Sequence, residues 1–185
     1  MPLVLLSGPS GVGKDSVIQA WKNINDSVRE IITYTTREPR PSELNGDDYY
    51  FVDPEVFDRL IEDSFFADYR KIFGSYYGIA EQDLERACSS DKIFIANLDV
   101  DGVRNIYSSY RSSLKIFILP PSLEDLERRL SKRDDDFLSK RLTRAEREIS
   151  LADTYDYQVR NINVYGTARR LDKIVAMEKF SRHTE

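Results

Sequence analysis

A glycine-rich segment near the N-terminus has the residue types and spacing that bind phosphate groups. Four residues separate Gly8 from Gly13, and Lys14 follows directly, which is the Walker A spacing. Glycines let backbone N–H groups approach phosphate oxygens closely, and the lysine adds a mobile positive charge. We therefore predict an ATP-binding loop whose Lys14 ammonium faces solvent when no nucleotide is bound. The predicted residues of this loop are Gly8, Pro9, Ser10, Gly11, Val12, Gly13, Lys14, Asp15 and Ser16.

The residue after the lysine departs from the usual pattern. That position normally holds Ser or Thr, whose hydroxyl binds Mg²⁺ beside the phosphates. Here it is Asp15, and Ser16 comes next. Either the Asp15 carboxylate or the Ser16 hydroxyl is predicted to make the metal contact, so we expect both ATP and Mg²⁺.

A second candidate phosphate site lies in a loop that prolines exclude from regular structure. Arg37 and Arg40 are three residues apart in this loop. Their planar guanidinium groups match the oxygens of a phosphate monoester in pairs. Tyr49 and Tyr77 are candidates for additional phenolic hydrogen bonds. On spacing alone, a solvated loop with scattered charges explains the two arginines equally well.

Buried strands that alternate with helices must position these residues. Residues 3–6 form a short apolar run, which is typical of a strand buried on both faces, and a helix with Val17, Ile18 and Trp21 on one side follows the glycines. Further apolar strands are predicted over residues 93–96 and 115–119, each followed by a helix. This alternation predicts an α/β fold with a parallel sheet.

The stretch between the first two buried strands has a different, mixed pattern. Strands are predicted over residues 31–36 and 48–52, and a helix is predicted to begin at Pro54. Aromatic residues between 65 and 77 predict further strands, broken at Gly74 and Gly78. A helix over about 81–89 is expected to bury Cys88. The stretch therefore reads as a small mixed α/β unit inserted into the parallel core.

Composition excludes several function classes. The chain of 185 residues has a formal net charge of −5, which argues against a dedicated nucleic-acid binder. No apolar run is long enough to span a bilayer, so a cytoplasmic protein without a membrane partner is expected. One cysteine and one histidine, His183, exclude an internal disulfide and a Cys/His zinc site, and they disfavour a catalytic triad.

Seven segments, taken in order, resemble the guanylate kinase family. They are residues 8–14, 35–43, 46–52, 73–78, 98–102, 116–122 and 155–161. The resemblance implies one domain, 1–185, with a three-layer P-loop NTPase core (1–32, 89–125 and 145–185), an acceptor-binding unit (33–88) and a short helical lid (126–144). It also implies the reaction ATP + GMP → ADP + GDP with Mg²⁺, and small nucleotides as the partners of a monomer or homodimer.

The resemblance assigns roles by position. On this basis the catalytic residues are Lys14, Arg40, Arg133 and Arg141. Further ATP contacts are assigned to Arg129 and Asn161, with Asn161 on the adenine side. The acceptor-binding residues are Thr33, Arg37, Arg40, Tyr49, Asp68, Tyr77, Ile79, Asn97 and Asp99, and Asp99 is also placed near the metal.

Departures from the family pattern concentrate where the base of the acceptor is read. Asp68 replaces a Glu, Ile79 replaces a Ser or Thr, and Asn97 replaces an Asp. Losing hydrogen-bonding groups relaxes or redirects selectivity. The related ribose 1,5-bisphosphate kinases have similar features at three places in this sequence: the pair Asp15-Ser16, Ile79 and Asn97. The alternatives are therefore dGMP or another nucleoside monophosphate, a phosphorylated sugar, or a non-catalytic guanylate-kinase-like binding module, which the intact Lys14 disfavours.

The predicted lid carries many basic residues among acidic ones. Arg133 and Arg141 flank the acidic stretch 134–136, so a mobile loop would deliver them to the phosphates from both sides. Most of the other charges on this segment are expected to belong to a solvated face.

Overall fold

Two β-sheets organise the chain. The computed structural model describes residues 3–131 and 138–182. Its strands are β1 (Val4–Ser7), β2 (Val28–Glu30), β3 (Tyr34–Thr35), β4 (Tyr50–Phe51), β5 (Phe66–Ile72), β6 (Ser75–Ala80), β7 (Ile93–Asn97), β8 (Leu114–Leu119) and β9 (Tyr157–Arg160). Its helices are α1 (Lys14–Ile24), α2 (Pro54–Glu62), α3 (Glu81–Cys88), α4 (Val100–Ser109), α5 (Leu123–Ser131), α6 (Leu138–Ser150) and α7 (Val164–Arg182), and Ala152–Thr154 form a 3₁₀ turn.

The parallel sheet forms the core. Its order is β2-β7-β1-β8-β9, which places β1 at the centre with parallel neighbours on both sides. Residues of β1 alternate between the two faces: Val4 and Leu6 pack with Trp21 of α1, whereas Leu5 packs with Ile106 of α4. Because both faces are covered by helices, the predicted α/β core with a parallel sheet is confirmed.

A smaller mixed sheet follows β2 along the chain. Its order is β4-β3-β6-β5, with β3 parallel to β4 and antiparallel to β6. Strands β5 and β6 form a hairpin whose two-residue turn has positive φ at Phe73 (47°) and Gly74 (93°). The ring of Phe57 in α2 stacks on Phe66, with 4.6 Å between centroids. The predicted second, mixed sheet is therefore present.

Three local predictions are wrong. The strand expected over 31–36 is divided, because the chain leaves the parallel sheet after Ile31, whose N–H donates to Ile95, and enters the mixed sheet at Tyr34. Gly78 does not break β6, where it pairs with Tyr34. Cys88 is exposed, since α3 turns Leu84 and Ala87 towards the core and the next position away from it.

Some predictions concern residues outside the described ranges. These are Arg133, the acidic stretch 134–136 and His183. Among residues 3–131 and 138–182, no helix is both long and apolar enough to cross a membrane.

Candidate active site

A cleft with a volume of about 510 Å³ lies between the carboxyl end of the parallel sheet and the mixed sheet. It brings together most of the residues predicted from the sequence: Gly8, Ser10, Gly11, Gly13, Lys14, Asp15, Ser16, Thr33, Arg37, Arg40, Tyr49, Asp68, Tyr77, Ile79, Asn97, Asp99 and Arg141. Pro9, Val12, Arg129 and Asn161 are not among the residues that line the cleft. Ligands of open α/β sheets bind at this edge.

The glycine-rich loop connects β1 to α1 and curls around the Lys14 side chain. Gly13 has φ 93°, in the left-handed region that favours glycine, and the helix begins at the next residue. The Lys14 side chain is partly exposed, but its ammonium donates to the Gly8 carbonyl at 2.5 Å. Burial lowers the pKa of Lys14. The expectation of a solvent-facing ammonium is therefore wrong, because the loop carbonyl replaces water.

Asn161 and Arg129 support the loop from behind. The Asn161 side-chain amide donates to the Val12 carbonyl at 2.8 Å, and its oxygen accepts from the Thr167 hydroxyl at 3.1 Å. The Arg129 guanidinium donates to the same Val12 carbonyl at 3.2 Å. Asn161 is only 2% exposed. The structure thus uses both polar ends of this amide to hold the loop, not to line the cleft.

The arginine loop is organised by one carboxylate. Glu43 accepts from the Arg37 guanidinium at 2.9 Å and from the Arg40 backbone N–H at 2.8 Å. The guanidinium carbon of Arg37 also lies 5.4 Å from the centre of the Tyr49 ring. Burial raises the pKa of Tyr49, so its phenol remains a hydrogen-bond donor. The Tyr77 ring centre lies 6.1 Å from that of Tyr49, which completes a polar wall suited to a phosphate group.

Another part of the cleft lining contains a chain of ion pairs. Asp68, which faces Ile79 across β5 and β6, is paired with Arg70 at 2.9 Å. Arg70 also lies 3.7 Å from Asp99. Arg144 binds the other oxygen of Asp99 at 2.8 Å.

Arg144 is an exception to the solvated face expected for most charges of the predicted lid, since it lines the cleft. Its guanidinium donates both to Asp99 and, at 2.8 Å, to Glu148, which is 4% exposed. Arg141, Arg144 and Glu148 are three to seven residues apart, so α6 presents them on one side, which here faces the cleft. The carboxylates of this region therefore have cationic partners before any substrate binds.

Polar groups also meet next to the start of α1. The Asn97 side-chain amide donates to Asp15 at 3.0 Å. Glu30, at the end of β2, lies beside Asn97 and Asp15. Burial, and then the charge of Asp15, raise the pKa of Glu30 to about 7.

The tip of the β5–β6 hairpin contacts α6 across the cleft. The Phe73 ring centre lies 4.9 Å from the guanidinium carbon of Arg141 and 5.6 Å from that of Arg144. Arg141 in turn lies 3.4 Å from the Ser10 hydroxyl of the glycine-rich loop. The mixed sheet, α6 and the loop therefore meet at Arg141.

Comparison with known proteins agrees with this geometry. Residues 1–178 match the family described as guanylate kinase. The guanylate kinase of Prochlorococcus marinus (strain MIT 9312) is 36% identical over 94% of this chain and 96% of its own length. That of Haemophilus influenzae (strain 86-028NP) is 38% identical over 97% of this chain and 89% of its own. This chain belongs to the guanylate kinase family.

Solved structures support the same assignment. A guanylate kinase from Anaplasma phagocytophilum superposes with a TM-score of 0.78 at 31% identity, covering 96% of this chain and 85% of the other. A shikimate kinase from Bacteroides thetaiotaomicron reaches a TM-score of 0.53 at 12% identity, covering 95% and 98% of the two chains, and therefore shares the fold alone.

The guanylate kinase cleft offers Mg²⁺ one carboxylate and one hydroxyl. Mg²⁺ typically takes one or two protein carboxylates, and phosphate oxygens and waters complete its octahedron. Asp15 and Ser16 are exposed at the cleft and fit this requirement. Asp99 does not, because its oxygens accept from the Gly102 backbone N–H and from Arg144. Within the described part of the chain, no group of three or more His, Cys, Asp or Glu is placed to hold a metal.

Arg70, Arg144 and Glu148 line this guanylate kinase cleft but were missed from the sequence. Each is a single charged residue in an amphipathic strand or helix, a pattern that normally indicates a solvated face. Only the spacing of Arg141, Arg144 and Glu148 on one helix face, together with the functional role expected for Arg141, could have indicated that the face turns inward.

Proposed function

We propose that this protein transfers the γ-phosphoryl group of ATP to GMP or dGMP. The observation that carries the proposal is that a single cleft contains the glycine-rich loop with Lys14 and, across from it, Arg37 and Arg40. Two phosphate-binding walls facing one space suit a donor and an acceptor that both carry phosphate. A binding module would have no need of the first wall.

Catalysis in this proposal rests on alignment and charge. The attacking oxygen belongs to the acceptor phosphate and is already anionic near neutral pH, so no side chain has to remove a proton. Lys14 and Arg141 neutralise charge on the transferring group, while Arg37 and Arg40 hold the acceptor phosphate. Mg²⁺, held by Asp15 or Ser16, would supply further charge neutralisation at the donor phosphates.

Closure of the cleft completes the mechanism. Residues 33–88 would carry the acceptor towards the core, and residues 126–144 would close over ATP, which excludes water and prevents hydrolysis. The contact of Phe73 with Arg141 supports this closure, because it already brings the acceptor-binding unit against α6. Arg133, outside the described residues, stays a predicted contributor. A cytoplasmic location and a monomeric or homodimeric state also stay predictions.

A second candidate function is phosphorylation of another acceptor, a sugar bisphosphate or a different nucleotide. It is favoured by the end of the cleft that would read the base. Asp68 is already bound by Arg70, Ile79 brings no hydroxyl, and the Asn97 amide is bound to Asp15.

The deciding experiment measures ATP-dependent ADP release with GMP, dGMP, AMP, UMP, CMP, dTMP and ribose 1,5-bisphosphate. Lys14→Met is the inactive reference. We expect the highest kcat/KM with GMP or dGMP. Turnover confined to the sugar would replace the first proposal by the second, and no turnover with any acceptor would leave a binding module.

Site assignments are tested with paired variants in the same assay. Arg37→Gln should raise KM for the acceptor at least about tenfold and leave KM for ATP within about twofold, because its guanidinium faces only the acceptor wall. Arg59→Gln, an exposed arginine of α2, is the matched control. Equal effects on both KM values would contradict the separation of the two walls.

A further inference from the structure

Arg70 occupies both oxygens of the carboxylate at the base-reading end of the cleft. Its Nε donates to Asp68 Oδ2 at 2.9 Å and its Nη2 to Oδ1 at 3.2 Å. The pair is well shielded, since the side chains are 24% and 11% exposed. Such a two-point contact is the strong form of an arginine–carboxylate interaction.

The same two-point pattern is available to guanine. The N1–H and the 2-amino group of guanine point the same way along one edge, as do the Nε–H and Nη2–H of a guanidinium group. A carboxylate can accept either pair through its two oxygens. Adenine has no such pair of donors on the corresponding edge.

We propose that Arg70 is a specificity-determining residue that competes with guanine for Asp68. Its guanidinium occupies the two carboxylate oxygens that the guanine edge would bind, and it leaves Asp68 when a guanine nucleotide binds. This inference rests on the proposed function, because it takes GMP or dGMP as the acceptor. Arg70 thereby reduces the affinity for guanine nucleotides and keeps Asp68 paired while the cleft is empty.

A second carboxylate, that of Asp99, lies close enough to bind the displaced guanidinium. Asp99 Oδ1 lies 3.7 Å from Arg70 Nε, and Arg144 binds the other oxygen, Oδ2. Rotation of Arg70 from Asp68 to Asp99 would exchange one ion pair for another and leave no buried charge unpaired. Asn105 remains as a donor to Asp68 Oδ1 at 2.9 Å and fixes the carboxylate during the exchange.

The test compares nucleotide affinities of Arg70→Lys with those of the wild type. Lysine keeps the positive charge beside Asp68 and Asp99 but lacks the planar fork, so it competes less well with guanine. We expect the Kd for GMP to fall about fivefold, from the loss of one competing hydrogen bond of about 1 kcal/mol. The Kd for AMP should change less than about twofold. Titration calorimetry without ATP gives both values.

Two further variants isolate the cause. In an Asp68→Asn background, Arg70→Lys should no longer change the Kd for GMP, because the contested carboxylate is gone. Arg104→Lys is the matched control, since this arginine of α4 is exposed and pairs with Asp101 away from Arg70. It should leave all affinities unchanged.

The outcomes separate this inference from the proposed function. Suppose that the wild type phosphorylates GMP but Arg70→Lys binds GMP no more tightly, or that its affinity for AMP increases equally. Then Arg70 does not compete with guanine for Asp68, and only this inference fails. If neither the wild type nor Arg70→Lys binds GMP while both bind another acceptor, the proposed function and the inference are both overturned.

Discussion

Glu30 ends β2 beside Asn97 and Asp15, and burial, followed by the charge of Asp15, raises the pKa of its carboxyl to about 7. Between its usual pKa of about 4.5 and pH 7, the folded protein therefore binds a proton that the unfolded chain releases. The free energy of unfolding must therefore fall as pH rises through this window, and the full decrease is present above pH 7.

The magnitude follows from the two pKa values. The difference between about 7 and 4.5, at about 1.4 kcal/mol for each pH unit, corresponds to about 3 kcal/mol as an upper bound. The Glu30 side chain is partly exposed, and solvent screening reduces the expected cost to about 1–2 kcal/mol. Glu30→Gln removes the ionisation and should therefore remove this cost.

Urea unfolding from about pH 5 to about pH 9 measures the effect. The stability of Glu30→Gln relative to wild type should increase by about 1–2 kcal/mol across this range. Glu62→Gln, an exposed carboxyl at the end of α2, should show a constant difference from wild type. Asp15→Asn should reduce the pH-dependent part, since the Asp15 charge is the second cause. A Glu30→Gln difference that does not vary with pH would refute the reasoning.

Two further predictions concern the glycine-rich loop. Lys14→Met should abolish ATP turnover while changing the free energy of unfolding by less than about 1 kcal/mol, because the lost hydrogen bond is offset by removing a poorly solvated charge. Lys22→Met, in the same helix, is the control and should stay active. Residual turnover in Lys14→Met would contradict the assigned role. Gly8→Ala should lower the free energy of unfolding by about 1–3 kcal/mol, since its methyl group would overlap the Ile118 carbonyl of β8. Gly166→Ala, with nothing nearer than 3.6 Å, is the control, and equal Tm values for the two variants would contradict the close approach.

Local spacing made the parallel core and the phosphate loop predictable. The apolar run before Gly8, the glycines and Lys14 act within one continuous segment, so the sequence specifies their arrangement directly. Cys88 is a position whose burial local spacing does not decide. Spacings of both three and four residues from Leu84 suit a helix face, and only packing against the core decides that Ala87 is inside and Cys88 outside.

The ion pairs of the cleft depend on how separate segments meet. Arg70 and Asp99 come from the mixed sheet and from the end of β7, and no sequence pattern links them. Arg144 reaches Asp99 only because α6 packs on that side of the core. Contacts between distant segments carry no short-range signal, and for this reason Asp68 and Asp99 were predicted as site residues but their partners Arg70 and Arg144 were not.

Acidic side chains position the arginines of the cleft for phosphate. Glu43 fixes the Arg37 guanidinium and the Arg40 backbone before any substrate arrives. Asp99 and Glu148 fix Arg144 in the same way. A guanidinium group held by a carboxylate loses little further side-chain entropy when a phosphate binds, and it retains N–H donors that the carboxylate does not use. A net charge of −5 is therefore compatible with a cleft for two phosphorylated substrates, because local pairing decides where the positive charges lie.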